Sequence, residues 1–188
     1  MIPGLTWRTR PWERETALPC DDLCTRGVQA DRAICVAAPP ALVFCWLCQL
    51  RAAPYSYDLL DNFGRRSPRQ RDPELAKLQV GQRFMTLFTL HSFVAGEQIT
   101  LRANGVAVTY SVRPEGTGSR LHVRVHFGGP LLIARALALG DLVMTRKQLL
   151  TLKSLTERDA ASAWFAPVAQ AIPRAGTPPP RQRRRLPR

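Results

Sequence analysis

The apolar residues of this chain change their spacing several times, and each change marks a predicted element. Asp31 to Ala38 (DRAICVAA) reads as a short strand with Ile34 and Val36 on one face. Pro39-Pro40 ends it and opens a helix, because proline is tolerated in a first helical turn. Val43, Trp46, Leu47 and Leu50 then recur at i, i+3, i+4 and i+7, one face of an α-helix. From Ala53 to Asp72 the period is lost in turn-rich sequence, with a short helical turn predicted over Tyr57 to Asn62.

A run of strands follows. Arg83 to Val94 is apolar on both faces, as expected of a central strand covered on both sides. Ala95-Gly96-Glu97 predicts a turn, Gln98 to Arg102 returns, and Asn104-Gly105 is a strong hairpin signal. Val106, Val108, Tyr110 and Val112 then alternate with Ala107, Thr109, Ser111 and Arg113. Past Pro114–Gly118, Leu121, Val123, Val125 and Phe127 alternate with Arg120, His122, Arg124 and His126. Such alternation predicts half-buried strands, with the apolar set inward and the basic set outward in solvent.

Pro130 to about Arg158 is helical, and Leu142, Leu149 and Leu152, joined by Leu139, Val143 and Leu150, form the stripe expected to face the sheet. The elements add up to an α+β fold, a curved antiparallel sheet wrapped around a long C-terminal α-helix. Residues 1–19, punctuated by Pro3, Pro11 and Pro19, read as an irregular lead-in, and residues 20–165 as the folded domain. Residues 166–188 read as a disordered Pro/Arg-rich tail, since nothing apolar recurs there to offset the entropy of ordering.

Charge and cysteine usage narrow the function classes. The net charge is +13, and six arginines of the tail (Arg174, Arg181, Arg183, Arg184, Arg185 and Arg188) supply nearly half of it. The tail lacks interleaved aromatics for base stacking and sits in no known module, so nucleic-acid binding is not expected. Five cysteines, an odd number in a chain that opens without an apolar leader, predict reduced thiols and a cytoplasmic location. No apolar run reaches the roughly 18 residues of a membrane span.

The segments APPALVFCWLCQLRAAPYSYDLLDNFGRRSPR, LAKLQVGQRFMTLF and GDLVMTRKQLLTLKSLTE together resemble the SRPBCC superfamily, most closely its uncharacterised bacterial members. That helix-grip group includes START lipid-transfer domains and polyketide aromatase/cyclases. The resemblance runs from about Cys20 to Glu157, and the PYSYD…DN…GRRSP string is its most specific part. It implies a cavity between sheet and C-terminal helix that takes a small, largely hydrophobic molecule, or a cyclase/dehydrase-like reaction in the same space. It also implies six or seven strands where the pattern yields five, leaving one to be sought in residues 72–82. A third reading is a basic interaction protein acting through the arginine tail.

The chemically dense stretch of Tyr55, Tyr57, Asp58, Asp61 and Arg65 is a candidate cavity mouth, with hydroxyls and carboxylates orienting a ligand's polar end. Phe88, Val108, Tyr110, Leu142 and Leu149 are the candidate apolar lining. The same polar residues could instead cap local turns and pair with Arg65 and Arg66. Tyr110, inward among valines, needs a partner for its hydroxyl. Cys45 and Cys48 have redox-pair spacing but lie inside a helix rather than at its N-terminus, so inert thiols are expected. His122 and His126 stand roughly 13 Å apart along a strand, too far to share a metal. No metal or cofactor is expected, no catalytic set is assigned, and the sequence does not set an oligomeric state.

Removal of residues 167–188 is expected to leave the melting temperature nearly unchanged and to weaken retention on a cation exchanger. A fall of more than about 4 °C would reveal roughly 1 kcal/mol of packing by the tail.

Overall fold

The computed structural model describes residues 4–24, 27–57 and 66–162. In chain order its elements are β1 (Thr6–Trp7), α1 (Pro11–Glu15), β2 (Val28–Val36), α2 (Pro40–Cys48), β3 (Arg83–Phe84), β4 (Phe88–Val94), β5 (Gln98–Ala103), β6 (Val106–Glu115), β7 (Gly118–Phe127) and α3 (Leu131–Ala161). Single 3-10 turns lie at Gln49–Arg51 and Pro73–Ala76. The tail and the segment 58–65, including Asp58, Asp61 and Arg65, lie outside the described residues. No described helix is long and apolar enough to cross a membrane.

The strands form one sheet in the order β1-β2-β7-β6-β5-β4-β3. All pairings are antiparallel except β1 with β2. This is the α+β helix-grip architecture. The seven described strands exceed the five read from periodicity, because an edge strand comes from Thr6–Trp7 and Arg83–Val94 divides into β3 and β4. Residues 72–82 hold a 3-10 turn and no strand. Gly27 and Gly118 bracket the β2–β7 ladder, where a side chain would run into the carbonyl of Phe127 or of Val36.

One face of the sheet carries the predicted apolar set. Val108, Tyr110, Val112, Leu121, Val123, Val125 and Phe127 are buried, with Val106 packed beside them. Helix α2 buries Leu42, Val43, Phe44, Trp46 and Leu47 against them, and the Trp46 indole N–H donates to Asp159 of α3 at 3.1 Å.

The other face departs from the sequence reading. Arg120, His122 and Arg124, expected in solvent, are buried beneath residues 4–24, most of which belong to the lead-in 1–19 expected to be irregular. Glu13 of α1 takes Arg120 at 2.7 Å, and Asp31 of β2 takes Arg124 at 2.8 Å and His122 at 3.0 Å. Arg124 also binds Asp21 at 2.9 Å and donates to the carbonyls of Glu13 and Thr16, both at 2.7 Å. His126 reaches Asp21 at 2.8 Å. Leu18 and Cys20 pack on Ala107, and the Cys20 amide donates to Thr109 Oγ1 at 3.2 Å. Alternation reports the polarity of a face and not its exposure. A basic face met by carboxylates and carbonyls is buried as readily as an apolar one.

Burial opposes ionisation of Glu13, Asp21 and Asp31, but the hydrogen bonds and cations around them hold all three below the usual carboxylate range. A depressed carboxyl contributes stability that is present above its unfolded value and lost as pH falls through its folded one. Asp141 is shifted the other way by burial, so its contribution has the opposite sign. Urea midpoints are therefore expected to fall steeply below about pH 4. Asp31→Asn should cost about 3–5 kcal/mol at neutral pH, the usual penalty for breaking a buried pair, and should flatten that acid limb. An unchanged acid limb in the variant would show that Asp31 does not hold the layer.

Candidate functional site

Helix α3 lies across the apolar face, and a fully buried cation sets its rotation. Arg32 points from β2 into the interior with no exposed surface. It donates to the carbonyls of Leu5 at 3.0 Å and Ala138 at 3.0 Å, and pairs with Asp141 at 3.2 Å. Drawing Asp141 inward brings Thr145 and Gln148, at i+4 and i+7, to the same side. Both are buried, along with Ala134, Ala138, Leu149, Leu152 and Leu155. The predicted inward stripe is thus split. Leu149 and Leu152 are core and Leu142 is half-buried, while Leu139 at 58%, Val143 at 54% and Leu150 at 38% are exposed. Gly140 has nothing within 4 Å of where a Cβ would sit, so it does not mark a close approach to the sheet.

Between the polar stripe and the sheet lies a cavity of about 340 Å³. The sheet supplies Val106, Val108 and Tyr110 from β6, Val125 and Phe127 from β7, and Phe88 from β4. Helix α3 supplies Asp141, Met144, Thr145 and Gln148, and the rim is Pro54, Ser56 and the turn Met85-Thr86-Leu87.

Hydrogen bonds organise its polar wall. The Tyr110 hydroxyl donates to Gln148 Oε1 at 2.8 Å, and the Gln148 amide donates to the Pro54 carbonyl at 2.7 Å and to Met85 Sδ at 3.4 Å. Thr145 Oγ1 donates to Asp141 Oδ1 at 2.7 Å. Burial pushes the Asp141 carboxyl above its ordinary value, against the opposing hydrogen bond of Thr145 and charge of Arg32. Burial and the nearby Asp141 charge push the Tyr110 hydroxyl up as well, against its bond to Gln148.

Of the sequence-predicted site residues, Phe88, Val108 and Tyr110 come together around this cavity. Tyr55 is buried in the adjoining core, edge-on to Trp46 with ring centroids 5.9 Å apart, and Leu149 is core behind the wall. Tyr57 is exposed, and Leu142 is outside the lining. Asp141, Thr145 and Gln148 were not singled out by sequence reasoning. Their signal was a continuous 4-3 spacing, Ala134, Ala138, Asp141, Thr145, Gln148, Leu152 and Leu155, masked by the leucines of the other face.

Elsewhere, Cys20, Asp21 and His126 place ligand atoms within 4.8 Å of one another. Asp21 is already held by His126, Arg124 and the Leu18 amide. Burial pushes the Cys20 thiol up to about 12, so an ion there would compete with a guanidinium and a reluctant thiol. Cys48, inside α2, is likewise pushed up to about 12 by burial, which matches the expectation of an inert thiol.

No family model matches the chain, and comparison with curated proteins finds no match. Solved structures do resemble it. Protein SSP2350 of Staphylococcus saprophyticus is similar at a TM-score of 0.50 and 12% identity, over 71% of this chain and 94% of its own. The KanY protein gives 0.49 at 16% identity over 69% and 97%. Protein NE0264 of Nitrosomonas europaea gives 0.47 at 13% over 71% and 97%. At 12% identity the likeness to SSP2350 speaks for the fold alone.

The rim turn holds two consecutive non-glycine residues in left-handed backbone, Met85 at φ 45° and Thr86 at φ 64°, which is unfavourable for a β-branched side chain. Thr86→Gly is expected to relieve about 1 kcal/mol and raise the melting temperature by about 2–4 °C. A lower melting temperature would mean that the Thr86 side chain makes contacts worth more than the backbone relief.

Proposed function

We propose that this chain is an SRPBCC-like helix-grip domain that binds a small, largely hydrophobic molecule in the cavity between the sheet and α3. The observation that carries this reading is the cavity itself. Protein interiors are packed with few voids larger than a water, and a space of about 340 Å³ walled by valines, phenylalanines and methionines falls in the size range of ligand pockets. The sequence resemblance to SRPBCC proteins points the same way, as does the placement of Phe88, Val108 and Tyr110 on its wall.

A cyclase or dehydrase acting in the same cavity needs a group that exchanges protons near neutral pH. Tyr110 is shifted away from that range. Asp141, raised by burial and facing the cavity, is the group that favours this second reading. An activity lost in Asp141→Asn with binding retained would establish it.

Val108→Trp fills the cavity from the sheet side. Wild-type protein is expected to bind an environment-sensitive apolar fluorophore, and the variant to lose that binding while keeping its circular dichroism and cooperative melting. If the wild type never binds the fluorophore and the variant unfolds, the space is ordinary core and the ligand-binding reading fails.

A further inference from the structure

The inner wall of the cavity, formed by Tyr110, Asp141, Thr145 and Gln148, offers hydrogen-bond acceptors and has already committed its donors. The Gln148 amide cannot be flipped, because its nitrogen faces the Pro54 carbonyl at 2.7 Å, and a carbonyl oxygen accepts only from a hydrogen. With that orientation fixed, Gln148 Oε1 faces Tyr110, so the tyrosine must be the donor at 2.8 Å. The second amide hydrogen is directed at Met85 Sδ. Thr145 Oγ1 donates to Asp141 Oδ1 at 2.7 Å, so its hydrogen too is committed. Arg32 pairs with the other Asp141 oxygen at 3.2 Å, and its charge opposes the upward push of burial on that carboxyl, yet Arg32 is fully buried behind the wall and does not line the cavity. What the inner wall still offers is therefore the remaining lone pairs of the Asp141 carboxyl, the Tyr110 oxygen and the Thr145 oxygen. Ser56 and Thr86, the other side-chain hydroxyls of the lining, stand at the rim, away from this wall.

From this we infer that the cavity selects an apolar molecule whose polar end is a hydrogen-bond donor, an O–H or N–H group, and rejects one ending in a carboxylate. The inference rests on the ligand-binding reading above and narrows it. A hydroxyl placed against the wall gives a further donor to acceptors that have lone pairs to spare in a low-dielectric space. An ether brings no donor to them, and a carboxylate sets a negative charge beside the Asp141 carboxyl where water screens poorly. A fatty acid is thereby the wrong head group on a suitable body, while a fatty alcohol, a phenol or an amine is the right one.

The test uses the full chain and three probes with one aromatic body, titrated by calorimetry at neutral pH: 2-naphthol, 2-methoxynaphthalene and 2-naphthoate. Naphthol is expected to bind about tenfold or more tightly than the ether, the factor for a hydrogen bond to a charged acceptor, and naphthoate is expected to bind weakest. In Asp141→Asn, which converts one acceptor oxygen into a donor, the alcohol's advantage should shrink and naphthoate should gain. That variant leaves Arg32 unpaired, so the wild-type ranking decides the matter if the variant does not fold. An ether or a naphthoate bound as tightly as naphthol by the wild type overturns the donor rule while leaving cavity binding intact. If none of the three binds, the ligand-binding reading fails and this inference fails with it.

Discussion

The inner architecture depends on one buried cation. Arg32 has no contact with water, and an isolated guanidinium in such a place would be strongly destabilising. Its neutralisation requires a carboxylate from outside the sheet, and Asp141 provides it. Once that pair is made, the helix can no longer turn Leu139, Val143 and Leu150 inward. Ala134 and Ala138 pass beneath Arg32, close enough for the Ala138 carbonyl to accept from it. Thr145 and Gln148 follow on the same side, and the space that larger apolar residues would have filled is left as a cavity.

The opposite face solves the same problem with the signs reversed in sequence order. There the cations belong to β7 and the anions arrive from Glu13, Asp21 and Asp31, two of them in the segment before β2. The sheet is thus charged on one face and both charged and apolar on the other, and each charge is matched by a group distant in sequence. Buried pairs of this kind add little net stability over an apolar core. They do penalise any arrangement that separates the partners, which makes them suited to fixing the position of α3 and of the N-terminal segment.

Legibility in the sequence followed from how local each signal was. The alternation of β6 and β7 and the long helical run were readable because each is a property of neighbouring residues. The seventh strand was not, since Thr6–Trp7 is two residues long and is defined only by its partner, Asp31–Arg32. Arg83–Val94 read as one strand because nothing in Met85-Thr86-Leu87 is a turn residue, although two of the three take left-handed backbone. The cavity wall was half legible. Val108 and Tyr110 carried the right period and hydropathy, whereas Asp141, Thr145 and Gln148 had the right period and the wrong hydropathy. Ranking the faces of α3 by apolar content selected Leu139, Val143 and Leu150. Only the position of Arg32, more than a hundred residues earlier in the chain, identifies which face is inward.

The pairing of β2 with β7 bears on how the chain is made. Val28 meets Phe127 and Val36 meets Ser119, so the first long strand leaves the ribosome well before its partner exists. At about 5–20 residues per second that interval is on the order of ten seconds. Throughout it Ile34, Leu42, Trp46 and Leu47 have no sheet to cover, and Arg32 and Asp31 have no partners from the far end of the chain. The hairpins from β4 to β7 can close quickly once synthesised, since their contacts are local. The N-terminal part must wait in the open, and protection during that wait falls to whatever holds nascent apolar segments in the cell.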